Sequence, residues 1–75
     1  MAKFGNSLVI CINNSGYKAS LELRKLYASI TDPMAESAGQ VKVIDESGEA
    51  YLYPQAMFVP VELPPATRKA VLALA

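Results

Sequence analysis

The side chains best equipped for chemistry lie in two short stretches, the acidic run Asp45-Glu-Ser-Gly-Glu49 and the apolar run Leu8-Val-Ile-Cys-Ile12. Asp45, Glu46 and Glu49 put three carboxylates on one turn, a set of oxygen ligands that suits a hard cation such as calcium. Their spacing does not match the calcium loop of helix-loop-helix sites, and Ser47-Gly48 between them is the composition of a tight turn. General acid-base work needs two carboxyl groups facing each other across a cleft, whereas carboxylates on a hairpin tip face water. The expectation is no metal, no cofactor and no catalytic residue there, and no enzyme. Cys11 is the single cysteine, and the chain has no His to activate its thiol. Inside an apolar run it reads as a small buried hydrophobe. A lone cysteine forms no internal disulfide, which fits a cytoplasmic protein.

Tyr17, Tyr27, Tyr51 and Tyr53 are the other chemically useful set. With Lys18, Lys25 and Lys42 they have the composition of a single-stranded nucleic-acid site, in which bases stack on rings and phosphates meet ammonium groups. Seven basic and seven acidic residues cancel, so no global field draws a polyanion or an anionic membrane. The best basic patch is Lys18, Arg24 and Lys25, with Lys42 as a further candidate, and Glu22 dilutes it. Tyr also suits half-buried strand positions, where its ring packs and its hydroxyl stays polar. Nucleic-acid binding is therefore carried as the alternative to binding another protein or a second copy.

Positioning these groups requires a folded scaffold, and 75 residues with 52% apolar content are enough for one small domain of modest stability. Met1-Ala-Lys-Phe-Gly-Asn6 lacks an apolar stretch followed by a cleavage site, and no run approaches the roughly twenty residues that cross a bilayer. The first strand is expected over 7–13, stopped by Asn13-Asn-Ser-Gly16. Tyr17, Ala19, Leu21 and Leu23 alternate with polar residues, which predicts one apolar and one wet face, and 25–30 continues as the next strand. Pro33 to Gly39 is a loop or a single helical turn, with Asp32 as cap and Pro33 in the first helical position. Residues 40–44 and 50–53 form a hairpin whose turn uses Gly48 for a positive φ. Val41 and Val43 share one face, Ala50 and Leu52 oppose Tyr51 and Tyr53, and Val and Leu are expected to fill the interior. A 3-10 turn over 54–57 and a short strand follow, with Val59, Val61 and Leu63 alternating with Phe58, Pro60 and Glu62. Pro60 places that strand at an edge or at the end of pairing. From Pro64 the Ala- and Leu-rich tail predicts a short helix, too short to persist alone.

This order of elements resembles the Src-homology-3-like small barrels over roughly Leu8 to Leu63. Ala19-Ser-Leu-Glu-Leu-Arg-Lys25 is similar to the family's alternating run that leads from the long first loop into the second strand. Leu52-Tyr-Pro-Gln-Ala-Met-Phe-Val59 is similar to its closing run, a Pro-initiated 3-10 turn before the last strand. The resemblance implies a mainly β fold: a five-stranded barrel over residues 1–63, with a helical tail, 64–75, packed on it or on a partner. The chain also resembles a group of small uncharacterised bacterial proteins in its stretch Val43 to Pro54. Peptide-binding members of the barrel family shape aromatic slots with a Trp, an Asn and a Tyr. Here there is no Trp, and Ala56 and Met57 stand where the Asn and Tyr would be. The implied function is a non-enzymatic protein-binding or self-association module with Tyr17, Tyr53, Met57 and Phe58 as its contact surface.

Overall fold

The structure is a computed structural model, and it describes residues 7–73. The N-terminal residues 1–6 and the last two positions, with Leu74 of the expected helix, lie outside the described residues. Five antiparallel strands form one sheet: β1 Ser7–Cys11, β2 Leu26–Ile30, β3 Gln40–Ile44, β4 Ala50–Pro54 and β5 Phe58–Val61, in the order β4-β3-β2-β1-β5. A one-turn helix α1, Pro33–Ser37, links β2 to β3, and a 3-10 turn, Gln55–Met57, links the two edge strands β4 and β5. The tail forms helix α2, Pro65–Ala73. None of these helices is long and apolar enough to cross a membrane.

One face of the sheet builds the core. Val9 lies opposite Tyr27, Cys11 opposite Phe58, and Val41 opposite Tyr53, so the two-residue period of each strand sends these side chains to the same side. With Val43, Met57 and Leu21 they make one buried cluster. Both edge strands contribute to it, and the Tyr53 and Phe58 rings meet at 5.9 Å although β4 and β5 are not paired. The interior valines are as expected, but Leu52 is not inside. It lies opposite Lys42 on the other face and is 45% exposed, while Tyr53 takes the interior position. In β5 the inward residue is Phe58, and Val59 is exposed.

The alternating segment after the first strand does not form a strand. Tyr17 C=O accepts from the N–H groups of Ser20 and Leu21, the Asn14 amide donates to Leu21 C=O, and Arg24 takes a left-handed φ of 65°. These turns consume backbone groups that a ladder would need. A strand here would also have no partner beside β1, which already pairs with β2 and β5. Leu21 alone enters the core, while Tyr17, Ala19 and Leu23 are exposed. The first strand itself ends at Cys11, and Ile12 turns outward.

The local punctuation is as the residue types require. The Asp32 carboxylate accepts from Ala35 N–H at 3.1 Å, Pro33 begins α1, and Glu36 reaches back to Asp32 N–H. Gly48, at φ 83°, closes the hairpin turn. Asp32 also pairs with Lys42 on β3 at 3.2 Å. Asp32→Ala is therefore expected to destabilise the fold by about 1 kcal/mol, most of it from the lost cap, with a lower urea midpoint and an unchanged slope.

Candidate functional site

The structure distributes the four expected contact residues unevenly. Tyr53, Met57 and Phe58 are buried at 3%, 9% and 4% exposure. Phe58 sits edge-on to Tyr27, and Tyr53 edge-on to both Phe58 and Tyr17. These three are core, and the surface expected of them is not assembled. The reason is the shape of the sheet, which brings its two edges over one apolar cluster and closes the 3-10 turn onto it. Only Tyr17 reaches the surface, where its ring covers Tyr53 at 5.0 Å and 83°.

The three carboxylates of the hairpin turn diverge. Asp45 points inward and is almost fully buried, accepting from Tyr53 O–H at 2.5 Å, from Ser47 N–H at 2.8 Å and from Ser47 O–H at 2.5 Å. Ser20 hydrogen-bonds the same Tyr53 hydroxyl, and Glu46 N–H donates to Ser20 C=O, which ties the first loop to the hairpin. Glu46 turns the other way, accepting from Tyr27 O–H at 2.5 Å and pairing with Lys25 at 2.6 Å. Glu49 remains at the exposed tip. Among the described residues no three Asp, Glu, His or Cys side chains are grouped to hold a metal ion.

Two of the four residues considered for the basic patch are held in ion pairs, while Lys18 and Arg24 are exposed. Lys25 bonds Glu46 and, at 3.4 Å, Glu22, and Lys42 bonds Asp32. Cys11 is buried, donates its S–H to Asn13 C=O at 3.3 Å, and its thiol pKa is pushed up by burial, which disfavours the reactive thiolate.

Two concavities bear on binding. The larger, about 720 Å³, lies against the outer face of the sheet, with Leu8, Leu26, Ala28 and Ile44 as apolar floor, Lys25 and Glu46 on its rim and Val71 of α2 across it. No residue of α2 is buried, so the helix rests on this face without being anchored in it. The smaller, about 360 Å³, opens between the first loop and the hairpin and is lined by Tyr17, Ser20, Asp45, Ser47, Tyr51, Leu52 and Tyr53. It adjoins β4, an edge strand with only Tyr53 buried and with Tyr51 and Leu52 half in water. Of these lining residues, the sequence pattern marks Tyr17 and Tyr53 in advance. Asp45 is marked only as part of a turn, because the Asp-x-Ser-Gly spacing shows a turn but not which way its carboxylate faces.

The electrostatics of this pocket set its pH response. Burial alone would raise the Asp45 pKa, but the hydrogen bonds from Ser47 and Tyr53 outweigh it and hold the group below its ordinary 3.8. Lys25 first and Tyr27 second hold Glu46 below 4.5, and the Ala35 N–H first and Lys42 second hold Asp32 below 3.8. A depressed carboxylate stabilises the fold fully above its unfolded pKa, and that contribution is lost as pH falls through the lower folded value. Burial, then the Asp45 hydrogen bond, push Tyr53 up from 10 to about 12. Its contribution is complete below pH 10 and is lost as pH rises through about 12. The urea midpoint is therefore expected to be level at neutral pH, to fall below about pH 4, and to fall again in strong alkali together with late tyrosinate absorbance. A midpoint that rises on acidification contradicts the carboxylate assignments.

Comparison with protein-family models, with curated proteins and with solved structures finds no match to this chain.

Proposed function

We propose that this chain is a non-catalytic interaction module, a Src-homology-3-like barrel that binds an extended polypeptide along β4. The barrel reading is supported by the order β4-β3-β2-β1-β5, by the 3-10 turn between the edge strands and by a core to which both edges contribute. The observation that carries the function is the character of β4. Among the described residues it has β3 on one side and no strand on the other, and it exposes two large apolar residues, Tyr51 and Leu52. An edge of that kind is a template for strand addition, with main-chain bonds giving affinity and neighbouring pockets giving selectivity. A binding role is also favoured over catalysis because the one thiol is buried and two of the three hairpin carboxylates, Asp45 and Glu46, are spent on Tyr53, Ser47, Lys25 and Tyr27. Nucleic-acid binding is less well supported, because Lys25 and Lys42 are held in ion pairs.

Selection from a random peptide library on the immobilised full chain tests this reading. Bound peptides are expected, and Leu52→Glu is expected to abolish their capture while leaving the stability within about 0.5 kcal/mol of the parent, since the introduced carboxylate would face Lys42 across the strands. Capture unaffected by Leu52→Glu removes β4 as the surface. Light scattering over a range of concentrations reads the self-association version of the same contact, which predicts a dimer that Leu52→Glu converts to a monomer.

A further inference from the structure

The larger concavity, about 720 Å³, is divided by polarity. Leu8 lies opposite Ala28 and Ala28 opposite Ile44, so the three make one apolar row across β1, β2 and β3, and Leu26 extends this floor. Val71 of α2 faces it. The helix has no buried residue, so it can shift over the floor without disturbing the core on the other face. The polar groups gather at one end. Arg24 and Lys25 immediately precede β2, Asp45 and Glu46 immediately follow β3, and the antiparallel pairing of these strands brings the four together. A cavity of this size, with an apolar body and a few polar groups on one side, has the form of a small-molecule site.

The bonding inventory singles out one of the four. Asp45 is met by Ser47 and Tyr53, Glu46 by Tyr27 and Lys25, and Lys25 by Glu46 and Glu22. Arg24 brings its charge to the cavity with no acidic partner among the described residues. It is also the one described non-glycine residue at a left-handed φ, 65°, a conformation that side chains ordinarily avoid and that persists where the surroundings impose it. Its backbone N–H donates to Cys11 C=O at 2.7 Å, which fixes its place beside β1. A guanidinium presents a fork of donors that a carboxylate satisfies with two parallel bonds. A doubly charged phosphate would bring its second charge against Asp45 and Glu46, so a singly charged head fits better. We propose that the cavity between the outer sheet face and α2 binds a free amphipathic monocarboxylate of the medium-chain fatty-acid type, its hydrocarbon on Leu8, Leu26, Ala28 and Ile44 and its carboxylate on Arg24. This site is separate from the β4 edge and does not depend on peptide binding there.

The test is titration of the isotope-labelled full chain with octanoate below its micelle concentration, followed by methyl and amide NMR at constant ionic strength. Octanol and octylamine, which share the chain and carry no negative head, are titrated in parallel. Saturable one-to-one shifts at the methyls of Leu8, Leu26, Ala28, Ile44 and Val71, a Kd on the order of 1 mM and roughly fivefold weaker binding of octanol and octylamine support the proposal. Arg24→Gly is the deciding variant, because glycine adopts the left-handed φ without strain and the fold is expected to persist. It should weaken octanoate roughly fivefold and leave octanol unchanged. Arg24→Gln, which keeps a polar stem and removes the charge, should show the same loss. Octanol bound as tightly as octanoate overturns the proposal by making the cavity merely apolar. Octanoate binding that both variants leave unchanged overturns it too, as do shifts that never saturate or that lie away from these residues.

Discussion

Leu21→Ala is expected to lower stability by about 2–5 kcal/mol, whereas Leu23→Ala, two residues on, should change it by less than about 0.5 kcal/mol. Leu21 is fully buried and is the one side chain that the first loop inserts into the core, while Leu23 is 50% exposed. A leucine truncated in a site that cannot collapse loses both its transfer free energy and its packing contacts. For a chain of 75 residues the whole stability is roughly 4–11 kcal/mol, so Leu21→Ala removes a large share of it. Thermal unfolding followed by near-ultraviolet dichroism is the direct measurement, with a fall in Tm on the order of 15 °C expected for the first variant. Equal effects of the two substitutions would restore the regular alternation that the turns at Tyr17 and Arg24 break.

Asp45→Ala is the second large effect. It leaves the buried Tyr53 hydroxyl without its acceptor and frees the hydroxyl and N–H of Ser47, which lie on the exposed turn and can bond water. An orphaned buried donor costs about 1–3 kcal/mol and the lost turn bonds add to it, so a loss of roughly 2–3 kcal/mol at neutral pH is expected. Tyr53→Phe keeps the ring in the core but removes one donor from the carboxylate, for a loss of about 1–2 kcal/mol. Because the two groups share one bond, the double variant should be less destabilised than the sum of the singles by about 1 kcal/mol or more. Additive effects would mean that the Tyr53–Asp45 bond contributes nothing. Tyr53→Phe should also remove the Tyr53 part of the alkaline loss of stability, since the phenol pushed to about 12 is gone.

The turn chemistry was legible because it depends on neighbours in the chain. Asp32 before Pro33 specifies the start of α1, and Gly48 after Ser47 specifies the turn of the hairpin in which β3 pairs with β4. The alternation from Tyr17 to Leu23 misled for a complementary reason. A two-residue period is satisfied by any segment that places apolar groups at intervals, and only the availability of a strand edge turns it into a strand. With β1 paired on both sides, the strand that precedes the segment offered none. Tyr53, Met57 and Phe58 lie in the core because both edge strands and the 3-10 turn contribute to one buried cluster, and contacts between segments that are not paired are not written in local pattern.

By itself the sequence determined the caps, the edge position of Pro60 and the burial of Cys11, because each follows from the steric and hydrophobic demands of a residue and its neighbours. Only the tertiary structure decided which tyrosines face water and where the hairpin carboxylates point. Those outcomes turn on contacts between segments far apart in the chain, Tyr53 with Phe58, Ser20 with Glu46 and Lys25 with Glu46, whose energies exist only once the sheet has formed.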